Sequence, residues 1–197
     1  APEAGGEGVG IEQVDAQAAQ EAAQAPDGGE VEAGSAADEV GGDAAVGQGD
    51  TIFMPAGTLH ALGPGLLVYE VQQTSDWTYR VYDWGRPQTE KRPLHIEKSI
   101  RATRPDFTAP IVPMPVCGDG ARHTLAQCDY FTLEILCAKS QPIDLDTRGE
   151  SFHAITLIEG RAALVAGDER VELEKFQTAV VPASLGAYRF EPQTSCR

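Results

Sequence analysis

Hydrophobic and polar positions change rhythm once along this chain, at Gly49. Before it lie Ala, Gly, Glu, Gln and Asp, with no aromatic residue ahead of Phe53 and no histidine ahead of His60. VDAQAAQEAAQA has helix-forming composition, but its Ala-rich faces offer little to bury, and glycines in GGEGVG, DGGE and GGDAAVGQG interrupt the rest. Low hydrophobicity with one-signed charge predicts a solvated, disordered tail over 1–48, or else an acidic interaction arm. After Gly49 the pattern turns to β. TIFMP, LLVYEVQQ and TYRVYDW are short runs rich in β-branched and aromatic residues, set apart by Gly, Pro and Ser-Asp turns. A period of two puts Leu66, Val68, Glu70 and Gln72 on one side of their run, and Thr78, Arg80, Tyr82 and Trp84 on one side of the next. Polar groups mixed with aromatics suit the wall of a ligand cavity.

A connector follows, RPQTEKRPLHIEKSIRATRPDFTAPIVPMP, with a short helix expected at HIEKSIRA and a Pro-rich crossing after it. From about Thr124 a second β region carries YFTLEILCA, FHAITLIEG, RAALVAG, ERVELE, TAVVPAS and YRFEP. Gly167-Asp168 between two of these runs is a two-residue hairpin signal. Short strands at this spacing predict an all-β sandwich or barrel. The expected organisation is a tail over 1–48, a partial barrel over 49–100, a Pro-rich connector over 101–121 and a second β domain over 122–197.

Charge excludes one class of partner. The formal net charge is −15, yet eleven of the thirty acids and none of the fifteen bases fall in 1–48, so the rest is near neutral. With no basic stripe to release counterions, nucleic-acid binding is not expected. No run of eighteen apolar residues predicts a membrane span. The first residues hold neither initiator Met nor secretory signal, which suggests a processed or incomplete chain and makes the cytoplasm the default. Cys117, Cys128, Cys137 and Cys196 contain no C-x-x-C pair and are read as reduced thiols.

The chemistry concentrates at GDTIFMPAGTLHALGPG: a strand, a tight turn, then His60. This spacing resembles the second metal motif of cupin barrels, with Pro64 where an Asn is usual. Extended through PAGTLHALGPGLLVYEVQQTSDWTYRVYDWGR and LHIEKSI, the sequence is similar to the type I mannose-6-phosphate isomerases. The resemblance runs from about Gly49 to the C-terminus and implies an all-β, cupin-type jelly-roll fold: an incomplete first barrel, and a smaller C-terminal one. It implies Zn²⁺, one per site, with His60 at the position of the last ligand. It also implies a sugar-phosphate substrate, with mannose 6-phosphate and fructose 6-phosphate interconverted. Arg80 matches the family's active-site arginine. Glu70 is either a proton shuttle, its pKa raised by burial, or an orienting partner for an arginine.

The remaining candidates are read as structural. Asp76 caps a turn, His95 and Glu97 are exposed connector residues, and His123 and His153 lack ligand-spaced partners. Ala187 stands where a ligand His would fall in the second barrel. The family's other metal ligands and an active-site Lys lie upstream of the motif, whereas 1–48 hold no His, no Lys and no evident strand run. The expectation is therefore a C-terminal portion with an incomplete site, inactive by itself. A non-catalytic cupin module binding a sugar or partner is the alternative.

Overall fold

The computed structural model describes residues 12–14, 35–38, 42–62, 65–75, 77–83, 85–106 and 109–197. Strands begin inside the segment expected to lack them: β1 (Glu12–Val14), β2 (Ser35–Asp38) and β3 (Gly42–Ala45). β2 and β3 pair antiparallel with Ser35 opposite Ala45. A ladder is made by backbone groups, which Ala and Gly supply as well as any residue, so low hydrophobicity and one-signed charge do not prevent it. The rest of 1–48 up to Ala45 lies outside the described residues.

Of TIFMP, only Thr51–Ile52 forms a strand, β4. LLVYEVQQ and TYRVYDW, both expected as strands, join no sheet among the described residues, which corrects that expectation. β-propensity measures how well a residue fits a pleated surface beside neighbours, and no neighbouring strand is described there. The expected helix is present as α1 (Ile96–Ala102), with Glu97 in its first turn and Arg101 in its last, each suited to the nearer end of the helix dipole. No helix of the described residues is long and apolar enough to cross a membrane. Beyond α1, β5 (Ile111–Val112) pairs with β4, Thr51 opposite Val112.

Six of the eight strands of the second β region fall on the predicted runs; Ala121–Gln127 and Ile143–Asp146 fall on none. β6 (Ala121–Gln127) and β7 (Thr132–Cys137) form a two-stranded sheet. β8 (Ile143–Asp146), β9 (His153–Thr156), β10 (Arg161–Ala166), β11 (Glu169–Glu174), β12 (Thr178–Val181) and β13 (Ala187–Pro192) complete the set. They make a four-stranded sheet in the order β11-β10-β13-β8 and a three-stranded sheet in the order β1-β12-β9. β1 adds to the edge of β12 with Glu12 opposite Val180. Gly167, at φ +58°, takes the positive-φ corner of the two-residue turn that sets Ala166 opposite Glu169.

Alternation places the core. Ile143 and Leu145 on β8, and Tyr188 and Phe190 on β13, are buried while Asp144, Asp146 and Arg189 are exposed. β10 is buried continuously over Ala162, Ala163 and Leu164, as befits a strand flanked by two others. Ala162 and Leu164, with Ile143, Leu145, Tyr188 and Phe190, cluster with Ala179 and Val181 of β12, so the two sheets enclose one apolar core. The chain divides into two compact units: Ala1–Asp27, Pro115–Thr124 and Glu134–Arg197 form one, Gly28–Met114 and Leu125–Leu133 the other.

The cysteine reading is corrected. The hairpin of β6 and β7 returns Cys137 to Cys117 at a Cα–Cα distance of 5.6 Å, and the two are disulfide-bonded across 20 positions of sequence. Spatial return, not sequence spacing, makes this pair. Cys128 and Cys196 are free, and burial pushes the Cys196 thiol up to about 11.

Candidate functional site

The Gly49–His60 stretch is built as its spacing suggests. Asp50 accepts the Gly47 N–H at 2.8 Å, closing the turn before β4. After the strand, Thr58 N–H donates to the Pro55 carbonyl at 3.1 Å. Gly57 sits at φ +96°, where a Cβ would meet the Ala102 carbonyl oxygen at 2.8 Å, so this turn takes glycine alone. The Gly57 carbonyl accepts the Arg104 N–H at 2.9 Å, docking the turn against the end of α1.

His60 follows this anchored turn and is exposed. Its Nδ1 lies 3.0 Å from the Thr58 carbonyl oxygen. A carbonyl only accepts, so Nδ1 carries the proton and Nε2 keeps its lone pair for an outside partner. That is the arrangement of a single metal donor. Zinc takes four ligands, or three and a water. Among the described residues no group of three or more His, Cys, Asp or Glu converges, so these residues do not by themselves make a zinc site.

Arg80 is half-buried and its backbone is held from both sides by His95. Arg80 N–H donates to His95 Nδ1 at 3.3 Å, and His95 N–H donates to the Arg80 carbonyl at 2.8 Å. His95 also sits beside Tyr79, ring centroids 5.9 Å apart, and heads α1. Its reading as an exposed connector residue is therefore corrected: it is half-buried and positions the Arg80 backbone. Glu97 is exposed as expected. Three residues past Arg80, buried Asp83 takes a two-pronged contact from Arg92, Nη2 to Oδ1 at 2.9 Å and Nε to Oδ2 at 3.1 Å, with Arg86 adding Nη1 to Oδ1 at 3.3 Å. The Arg92 hydrogen bonds, and the nearby charges of Arg92, Arg86 and Arg80, hold the Asp83 carboxyl below the usual carboxylate range.

Glu70 is exposed and makes no ion pair among the described residues. No hydrogen bond or ion pair joins any two of His60, Glu70 and Arg80. Asp76 lies outside the described residues. The Asp83–Arg86–Arg92 group and His95 were not singled out from the sequence as site supports. Their signal was present in the continuous stretch YDWGRPQTEKRPLH, where an acid, two arginines and a histidine lie among Gly and Pro turn residues.

A separate polar group occupies the C-terminal sheets. His153 Nδ1 and the Tyr188 hydroxyl are 2.6 Å apart, linking β9 to β13, while Arg122 holds Glu134 through Nε at 3.0 Å and Nη2 at 2.6 Å. Burial, then the Arg122 charge, push the His153 imidazole below its ordinary value, and burial raises the Tyr188 phenol. A cavity of about 370 Å³ lined by residues including Asp144, Val165, Gly167 and Arg189 opens on the four-stranded sheet and holds none of the expected site residues.

No protein-family model matches the chain. Individual proteins do. Mannose-6-phosphate isomerase ManA of Bacillus subtilis is 32% identical over 156 residues, 75% of this chain and 48% of that protein. A mannose-6-phosphate isomerase of Streptococcus mutans is 30% identical over 145 residues, 73% of this chain and 46% of its own length. A probable mannose-6-phosphate isomerase of B. subtilis, GmuF, reaches 45% over 89 residues, 43% of this chain and 28% of that protein. The crystal structure of the mannose 6-phosphate isomerase from B. subtilis superimposes with a TM-score of 0.59 at 31% identity, covering 72% of this chain and 45% of that one. The fold is thus the cupin-type β fold of that structure. The chain spans about half the length of the curated relatives it matches, and over that span it is similar to mannose-6-phosphate isomerases.

Proposed function

We propose that this chain carries one side of an aldose–ketose isomerase site, acting on mannose 6-phosphate and fructose 6-phosphate. In that reaction the proton on carbon 2 is removed as the carbon 1 carbonyl becomes an enediolate. A proton returns to carbon 1 as carbon 2 becomes the carbonyl. Arg80, always charged and held at its backbone by His95, supplies a preorganised cation for the negative charge of the enediolate or the phosphate. Glu70 is the candidate proton carrier. Its exposure means that the burial such a role calls for must come from whatever covers its run. His60 offers one neutral imidazole donor, and zinc, when bound in a completed site, would polarise the substrate oxygens. Because the described residues hold no complete ligand set, this chain alone is expected to be inactive.

The observation that carries the reading is the pairing of similarity with geometry: His60 on an anchored turn with Nε2 free, and Arg80 on a braced backbone. A chimera tests it. Residues 49–197 replace the matching region of the B. subtilis enzyme, and turnover of mannose 6-phosphate is followed. The expected result is an active chimera, in which Arg80→Ala lowers kcat/KM by roughly 10²–10³-fold, the scale for losing one preorganised charge-stabilising group. His60→Ala should reduce bound zinc as measured by elemental analysis. A chimera that folds, binds zinc and converts nothing overturns the proposal. Binding of fructose 6-phosphate without turnover would instead favour a non-catalytic sugar-binding module.

A further inference from the structure

Three strands of the C-terminal unit change character in the same way along their inner faces. On β13, Phe190 and Tyr188 are both buried, and the step from one to the other exchanges a hydrocarbon ring for a phenol. On β9, Ile155 packs against the core, and His153, two residues before it, puts Nδ1 2.6 Å from the Tyr188 hydroxyl. On β7, Leu136 packs against the same core, and Glu134, again two residues before, accepts both prongs of Arg122 from β6. A period of two keeps each pair on one face, and two residues advance a strand by about 7 Å. The four polar groups gather at one end of the core, where the charges of Arg122 and Glu134 act on both His153 and Tyr188. This end reaches solvent. The Arg122 side chain is 46% exposed and that of Glu134 26%, and Phe152, immediately before His153, is 61% exposed.

An apolar floor beneath a few convergent polar groups is the usual make-up of a small-molecule site. Charge selects the ligand. Arg122 and Glu134 neutralise one another. Burial keeps the His153 imidazole uncharged at neutral pH and the Tyr188 phenol protonated. Asp146, on the outward set of β8, is a further charge felt at His153, and it repels anions. What this end offers instead is hydrogen bonding of both kinds. Arg122 uses Nε and Nη2 on Glu134, which leaves Nη1 as a donor outside that pair. A carboxylate has lone pairs beyond the two so engaged, and a phenol both gives and accepts.

We propose that this polar end of the C-terminal core is a binding site for a neutral polyhydroxylated small molecule, a monosaccharide without a phosphate. A sugar hydroxyl donates to Glu134 while accepting from Arg122, and an exposed aromatic ring such as Phe152 gives the carbon face of a sugar something to lie on. Arg122, Glu134, His153 and Tyr188 all belong to one compact unit, and none of them serves in the catalysis proposed above.

The test follows the His153 ring resonances of the full chain by NMR at pH 7.5 as D-mannose, D-fructose, mannose 6-phosphate or inorganic phosphate is added. The two neutral sugars are expected to shift those resonances saturably in the millimolar range, and the two anions to bind there more weakly. Glu134→Gln and Tyr188→Phe, both conservative, should each weaken the sugars roughly tenfold, the scale for one hydrogen bond to a charged group. Arg80→Ala should leave the response unchanged. The proposal is overturned if neither sugar moves the His153 resonances, if the anions bind there as tightly as the sugars, or if both variants respond like the parent. Should one variant fail to fold, the other decides. A response lost with Arg80→Ala but kept in the other two variants would place the sugar at the proposed isomerase site and overturn this one. A normal His153 response beside an inactive chimera would do the reverse, so the two readings fail separately.

Discussion

Two stretches of similar composition meet opposite fates in this molecule. RAALVA at 161–166 is strand β10, hydrogen-bonded on both sides and buried at Ala162, Ala163 and Leu164. LLVYEV at 66–71 is at least as apolar, yet no strand forms there and most of its side chains face solvent. The difference is neighbours. β10 has β11 and β13 beside it and β12 across the core; β11 arrives by a two-residue turn, and β13 returns to its other edge after β12. A strand is a relation between segments, and residue preference becomes structure only where a second edge arrives.

The comparison breaks most visibly at its two apolar extremes. Phe190, 1% exposed within the core, should cost about 3–5 kcal/mol when replaced by alanine, the range for large-to-small changes in a packed interior. Leu67→Ala should stay within about 0.5 kcal/mol, as exposed positions do. Urea denaturation of the two variants reads this directly. Equal losses would mean that 66–71 is as well packed as β13, and the contrast would collapse.

That contrast also explains what could be read from sequence. β7 and β9 to β13 were legible because alternation, turn residues and partner strands agree there. Gly167-Asp168 declared its hairpin outright. β8 escaped notice because IDLD offers only two apolar residues, Ile143 and Leu145, both buried. β1 gives no sequence signal because Glu12–Val14 is three residues with one apolar member, and β2 and β3 give none because Ala and Gly pair through backbone with no side-chain signature. At the candidate site, His60 and Arg80 stand out in the sequence through motif spacing and family likeness and remain proposals, whereas the bracing of Arg80 by His95 has no local signal. That bracing depends on a return of the chain from position 95 to position 80, which no local pattern encodes. The Cys117–Cys137 pair is hidden for the same reason.

That pair offers the next test. Opening the cross-link frees a loop of 20 positions, and chain-entropy arguments put the loss at about 3 kcal/mol. Cys117→Ser should therefore lower the unfolding free energy of the C-terminal sheets, and added reductant should do the same to the parent chain but not to the variant. Cys128→Ser, at a free thiol, is the control. If reductant lowers the stability of both proteins alike, the cross-link is not what secures this region.

The smallest effect probes how the two C-terminal sheets are joined. Tyr188→Phe removes the hydroxyl that meets His153 Nδ1 and should cost about 1 kcal/mol, the net worth of one hydrogen bond. pH supplies an independent reading. His153 is held below its ordinary value by burial and then by the Arg122 charge, against opposing pulls from Glu134 and Asp146. At pH 7.5 the imidazole is neutral in both folded and unfolded chains and contributes no pH dependence. As pH falls through about 6.5 the unfolded chain takes up a proton that the folded chain resists, so stability drops, and it goes on dropping until the lower folded value is passed. His153→Gln removes this linkage, so its unfolding free energy should fall less between pH 7.5 and pH 5 than that of the parent. Parallel slopes for the two proteins would show that the imidazole is as free to charge in the folded sheets as in water, and the cross-sheet contact would then lose its place among the forces holding them together.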